Sequence, residues 1–175
     1  MGTKQMRTNA VDSKMVLKFN TSLGAYWIAL LRIITGWWLL HAGLGKLLTD
    51  GLSYSYGPIF MKGLEGTSVG PLAVWMGENL AFLIEPGVPV LQTLIGLGLI
   101  FGVLTRLAAV GGVFFMTFFW IGGDFTHGIV TGELLGLFLF TALIVFAAGR
   151  HYGLAPYIES TEFVKNNPRL RYLLG

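Results

Sequence analysis

The sequence contains no cysteine. That excludes a cysteine-ligated iron–sulfur cluster, a thiol relay and a disulfide within this polypeptide. Charge is scarce as well: 12% of its 175 residues are Asp, Glu, Lys or Arg, about half the share soluble domains carry. A pI near 9.3 would suit a nucleic-acid ligand, but the formal net charge is only +3. Sorting of the basic residues by membrane side accounts for that pI more simply, so no nucleic-acid partner is expected.

What fills the chain is apolar: 54% of residues are hydrophobic and the mean hydropathy is +0.67. A helix needs roughly 20 apolar residues to cross a bilayer. Four stretches approach that, at about Tyr26–Leu48, Val88–Thr105, Leu107–Gly123 and Ile129–Ala148. The fold expected is an all-α, integral membrane four-helix bundle. Residues 1–21 form a polar tail, 22–149 the transmembrane domain with a long outer loop at 49–87, and 150–175 a second tail. The first apolar run lies too far in, and is too long, for a cleaved secretory signal, and reads as an uncleaved span. Within the outer loop, Pro71–Ile84 predicts a short interfacial helix, with Pro71 in its first turn, Trp75 at headgroup level and Pro86 stopping it. The Thr105–Arg106 turn joins the second and third spans as a tight hairpin.

Charge sets the expected orientation. With the N-terminus inside, Lys4, Arg7, Lys14, Lys18, Arg106, Arg150, Lys165, Arg169 and Arg171 are cytoplasmic, whereas Lys46 and Lys62 lie outside. This is a positive-inside bias, and it predicts both termini on the cytoplasmic side of a multi-pass protein of the cell membrane. Small residues predict helix contacts: Gly98 and Gly102 in the second span, Gly128, Gly132 and Gly136 at the fourth, and an Arg32–Gly36–Leu39–Gly43–Lys46 stripe on the first.

Ionisable groups inside a bilayer cost about 2.5–3.5 kcal/mol on insertion scales and mark candidate functional sites. Arg32 lies in the first span and either serves function or snorkels to the headgroups. The outer edge is richer. His41 and Lys46 end the first span, Gln92 begins the second, Asp124 and His127 end the third, and Glu133 opens the fourth. Up-down topology brings those ends to one membrane face, where a quinone head entering from lipid would meet them. A histidine–carboxylate pair is a reasonable proton donor for quinone reduction. Each member also has a plainer reading: Asp124 and His127 as a wet turn, Glu133 as a partner for the positive helix end. His41 stands roughly opposite the Arg32 stripe. Ligation of a haem by His41 and His127 ranks well below the quinone reading.

Three segments carry a family resemblance: LRIITGWWLLHAGLGKL from Leu31 to Leu47, IGLGLIFGVLTRLAA from Ile95 to Ala109, and AGRHYGL from Ala148 to Leu154. Together they resemble the DoxX/DoxD family over about Leu30–Glu159. The resemblance implies a membrane subunit of a quinone-linked complex such as thiosulfate:quinone oxidoreductase, with Arg32, His41, Gly43, Lys46 and Arg106 in matching motif positions. It also implies a second subunit on the outer face, or a homo-oligomer, beside the lipid bilayer. Relatives often carry a glutamate near Gln92 and an aspartate where this chain has Ala155. The alternative function is a non-catalytic anchor or accessory subunit of a larger membrane complex.

Overall fold

The computed structural model describes residues 2–123 and 128–174, with side chains from Ser22 onward except Pro168. Among the described residues there is no strand. The helices are α1 (Gly2–Asp50), α2 (Tyr56–Gly63), α3 (Gly70–Asn79), α4 (Ala81–Phe101), α5 (Thr105–Gly122), α6 (Gly132–Val145) and the short α7 (Ala155–Glu159), α8 (Glu162–Asn166) and α9 (Arg171–Leu174). Three are long and apolar enough to cross a membrane: Ser22–Asp50 of α1, α4 and α5. Two threonine hydroxyls in them find acceptors in their own helix, Thr35 Oγ1 donating to the Leu31 carbonyl at 2.6 Å and Thr93 Oγ1 to Pro89 at 2.8 Å.

The fourth apolar helix is shorter than its sequence predicts. α6 has 14 residues, about 21 Å at 1.5 Å per residue, against a hydrocarbon core of about 30 Å. It ends at Val145 because Ala147 turns left-handed, at φ 48°, and the chain continues as a single 3-10 turn, Ala148–Arg150.

The predicted Pro71–Ile84 helix is corrected in the structure. α3 stops at Asn79, and α4 begins at Ala81 and runs straight through Pro86 and Pro89. Leu80 serves both ends. Its N–H donates to Met76 O at 2.8 Å, while its carbonyl accepts from Leu83 and Ile84. The prolines therefore lie inside α4, where each frees one carbonyl of the preceding turn, a loss that packed membrane helices tolerate. The hairpin to α5 also shifts. Gly102, at φ 68°, caps α4, with the Val103 N–H bonding Gly98 O at 2.9 Å, and Thr105 and Arg106 open α5 rather than forming the turn.

Four helices share one core, including Leu39 (α1), Leu99 (α4), Phe115 (α5) and Phe140 (α6). Glycine sets how closely they approach. A methyl at Gly96 would stand 2.5 Å from the Leu40 backbone nitrogen, and one at Gly36 2.9 Å from the Gly96 carbonyl oxygen. These contacts press α1 onto α4 along the predicted stripe. The other glycine pairs serve differently. Gly98 faces Ala108 across the hairpin and Gly136 packs on Met116, while Gly128 and Gly132 meet nothing within 4 Å.

Each end of this core is closed. At one end α2 and α3 form a roof, with Phe60 edge-on to Phe119 at 5.6 Å and Leu64 seated on Gly122. At the other, the hairpin end, the C-terminal segment docks on α4 through Leu154 N–H to Phe101 O and Ala155 N–H to Gly102 O, both 3.0 Å. Ala155, Val164 and Leu174 form a small buried cluster there.

Candidate functional site

Beneath the roof lies a cavity of about 690 Å³, within the range typical of small-molecule pockets, about 300–1,000 Å³. α1, α4 and α5 supply its walls, α2 and α3 its lid, and Glu133 of α6 one edge. Most of the lining is apolar or aromatic, including Trp38, Leu91, Phe114 and Phe119, and the polar contribution comes from Lys46, Gln92, Tyr54, Tyr56 and Glu133. Leu91 and Phe114 line the cavity yet are 51% and 59% exposed. α4 and α5 thus carry apolar side chains that line the cavity and are also well exposed.

Lys46 and Gln92 form the polar end. The Lys46 ammonium donates to Gln92 Oε1 and to the Ala42 carbonyl, each at 3.0 Å, and stands 5.4 Å from the Tyr54 ring centroid. An ammonium only donates, which fixes Gln92 with its oxygen toward Lys46. The Gln92 amide nitrogen makes no hydrogen bond among the described residues, though the side chain is only 4% exposed. Among the described residues no carboxylate comes within 4.0 Å of Lys46 either: the ion pair found there, Arg150–Glu159, is at the hairpin end. Burial, with Tyr56 and Asp50 nearby, pushes the Tyr54 hydroxyl up from its ordinary value, so Tyr54 supplies no compensating negative charge at neutral pH. Among the described residues the result is a largely apolar chamber with one cation and an amide donor at one end.

Of the residues singled out from sequence, the structure brings Lys46, Gln92 and Glu133 to this cavity. The Thr131 side chain caps the helix that carries Glu133, accepting from Leu134 N–H at 3.5 Å. His41 is elsewhere. It is exposed on the outward face of α1, stacked on Trp37 with ring centroids 6.1 Å apart. Asp124 and His127 lie outside the described residues.

Arg32 and Arg106 belong to the hairpin end. Arg32 is 1% exposed, wedged against Gly102 and Gly153, and Nη2 donates to Tyr152 O at 3.2 Å. Its Nε and Nη1 have no partner among the described residues, nor does Arg106 Nε. Arg32 therefore neither snorkels to the surface nor reaches the cavity; it pins the C-terminal segment to the core.

Trp38 and Tyr54 were missed. Trp38, Ala42 and Lys46 recur every four residues and so share one helical face, a spacing that would have placed Trp38 beside the lysine. Tyr54 reaches the site through the course of the loop, which leaves no local pattern.

Comparison with known proteins adds one match. The family model described as DoxX matches residues 27–128. No curated protein and no solved structure matches the chain.

Proposed function

Because this chain belongs to the DoxX family, we propose that it is the membrane subunit of a quinone-linked redox complex, with the quinone ring held in the cavity beneath the roof. Its four apolar helices span the cytoplasmic membrane with both termini inside, α6 being extended by the segment that follows it. The arrangement of Lys and Arg supports this orientation. The roof then faces outward, where a partner subunit oxidises the donor, thiosulfate being the first to test.

The observation that carries the reading is the Lys46–Gln92 pair in a largely apolar, aromatic-walled cavity. A bound quinone supplies two-electron, two-proton chemistry. The chain's own residues bind and orient it. Lys46 and the Gln92 amide donate to a ring oxygen, Trp38 and Phe119 flank the ring and exclude water, and Glu133 stands at the cavity edge as the nearest carboxylate among the lining residues. Electrons come from a cofactor on the partner, since this chain has no cysteine to ligate a cluster.

His41 favours a second reading, the non-catalytic anchor. An imidazole on the outward face of a membrane helix is costly against lipid and suits the interface with another subunit. One experiment separates the two: the complex purified from native membranes is given thiosulfate while quinone absorbance is followed. Donor-dependent reduction that is lost in Lys46→Met supports the quinone site. Reduction that is equal in wild type and Lys46→Met assigns the chemistry to the partner and leaves this chain as the anchor.

A further inference from the structure

The polar end of the cavity is one-sided in charge. Lys46 Nζ has two oxygen acceptors, both neutral, and the face of a neutral tyrosine ring. Gln92 turns its oxygen to the lysine, and its N–H groups, unbonded among the described residues, are available to a ligand. Glu133 lines the same cavity without pairing with Lys46, and Asp50, one helical turn beyond it, is exposed and makes no ion pair with it. Among the described residues, Lys46 and the Gln92 amide nitrogen thus present donors at this end, no carboxylate pairs with the lysine, and most of the surrounding wall is apolar. In such surroundings an unpaired cation is poorly compensated, and a ligand oxygen bearing full negative charge gains far more than a neutral carbonyl.

We propose that the Lys46–Gln92 end is an oxyanion site, selecting quinones whose ring carries an ionised hydroxyl over neutral quinones of the same shape. The inference rests on the quinone reading above and adds the charge state of the preferred ligand. The ring enolate oxygen accepts from Lys46 Nζ and Gln92 Nε2. The ring lies between Trp38 and Phe119, and its alkyl tail leaves between Leu91 and Phe114. Ordinary membrane quinones are neutral and bind more weakly, as an exchangeable substrate must. Acidic hydroxyquinones act as tight, competitive occupants of the same place.

The test uses a matched pair, a 2-hydroxy-3-alkyl-1,4-naphthoquinone, ionised at neutral pH, and its neutral 2-methoxy ether. Binding to the full-length protein in detergent is read from quenching of tryptophan fluorescence, with Trp38→Phe identifying the part that comes from the cavity. The hydroxy compound is expected to bind wild type about tenfold more tightly than the ether, the gain of one charge-assisted contact. That preference should vanish in Lys46→Met, persist in Lys46→Arg and shrink in Gln92→Leu, each variant showing a wild-type melting curve. The preference should also fade as pH drops through the ligand's own ionisation. Equal affinity of the two compounds for wild type, or a preference that survives Lys46→Met, overturns the oxyanion assignment and leaves the quinone reading standing. If neither compound quenches Trp38, both fall.

Discussion

Gly43 offers the sharpest link between packing and site. It lies on α1 one turn before Lys46 and against the part of α4 that carries Gln92. A methyl added there would stand 2.5 Å from both the backbone nitrogen and the hydroxyl of Thr93, and 2.9 Å from the Pro89 carbonyl oxygen. Two of these three atoms are main chain and cannot swing away. Relief to an ordinary contact of about 3.5 Å requires the two helices to separate locally by about 1 Å. Overpacking of this kind costs about 1–3 kcal/mol. The same displacement would stretch the 3.0 Å Lys46–Gln92 bond to about 4 Å, too long for a hydrogen bond. Gly43→Ala should therefore melt at lower temperature in detergent and also bind quinone several-fold more weakly. Gly45→Ala is the control, since Gly45 has nothing within 4 Å. There the substitution should be neutral or stabilising by about 0.5–1 kcal/mol, from helix propensity alone. If Gly43→Ala matches wild type in both melting and quinone binding, the close α1–α4 contact does not set the site.

Three further outcomes follow from the geometry. His41→Ala should leave quinone binding unchanged by fluorescence titration, because the imidazole faces outward beside Trp37; a marked loss would show that this face of α1 meets the ligand. Gly102→Ala should destabilise by more than about 1 kcal/mol, since it combines a left-handed φ of 68° with the space taken by the Arg32 guanidinium, and a thermal melt equal to wild type would refute that. Arg32→Met should cost less than Arg32→Ala in the same assay. Methionine fills most of the buried volume without the two unpartnered donors, whereas alanine leaves a void.

The stripe on the first span was legible because it depends only on helical periodicity. Arg32, Gly36, Leu39 and Gly43 are all buried along α1, the three non-charged positions facing the core or α4. The same periodicity, which sets His41 roughly opposite the Arg32 stripe, explains why it is absent from the site: five residues carry it about 140° around the helix from Lys46. Pro86 misled for a different reason. Proline ends helices in isolation, but here Leu80 had already supplied the break and the next helix needed only its own carbonyls. The Lys46–Gln92 pair spans 46 residues of chain. It rests on the register of two helices set by Gly36, Gly43 and Gly96, which no local pattern encodes. The roof is least legible of all. Its helices α2 and α3 are short, and they are held by contacts such as Phe60–Phe119 that exist only once the bundle has formed.

Photo-crosslinking tests the central claim most directly. A quinone bearing an azido group on its ring is irradiated with the protein in membranes, and the labelled peptides are identified by mass spectrometry. Saturable labelling of the α1 segment around Trp38–Lys46 and the α5 segment around Phe114–Phe119, competed by unlabelled quinone and reduced in Lys46→Met, is the predicted result. Labelling confined to the hairpin end near Arg32 and Tyr152, or labelling that unlabelled quinone does not compete, would contradict a quinone site beneath the roof.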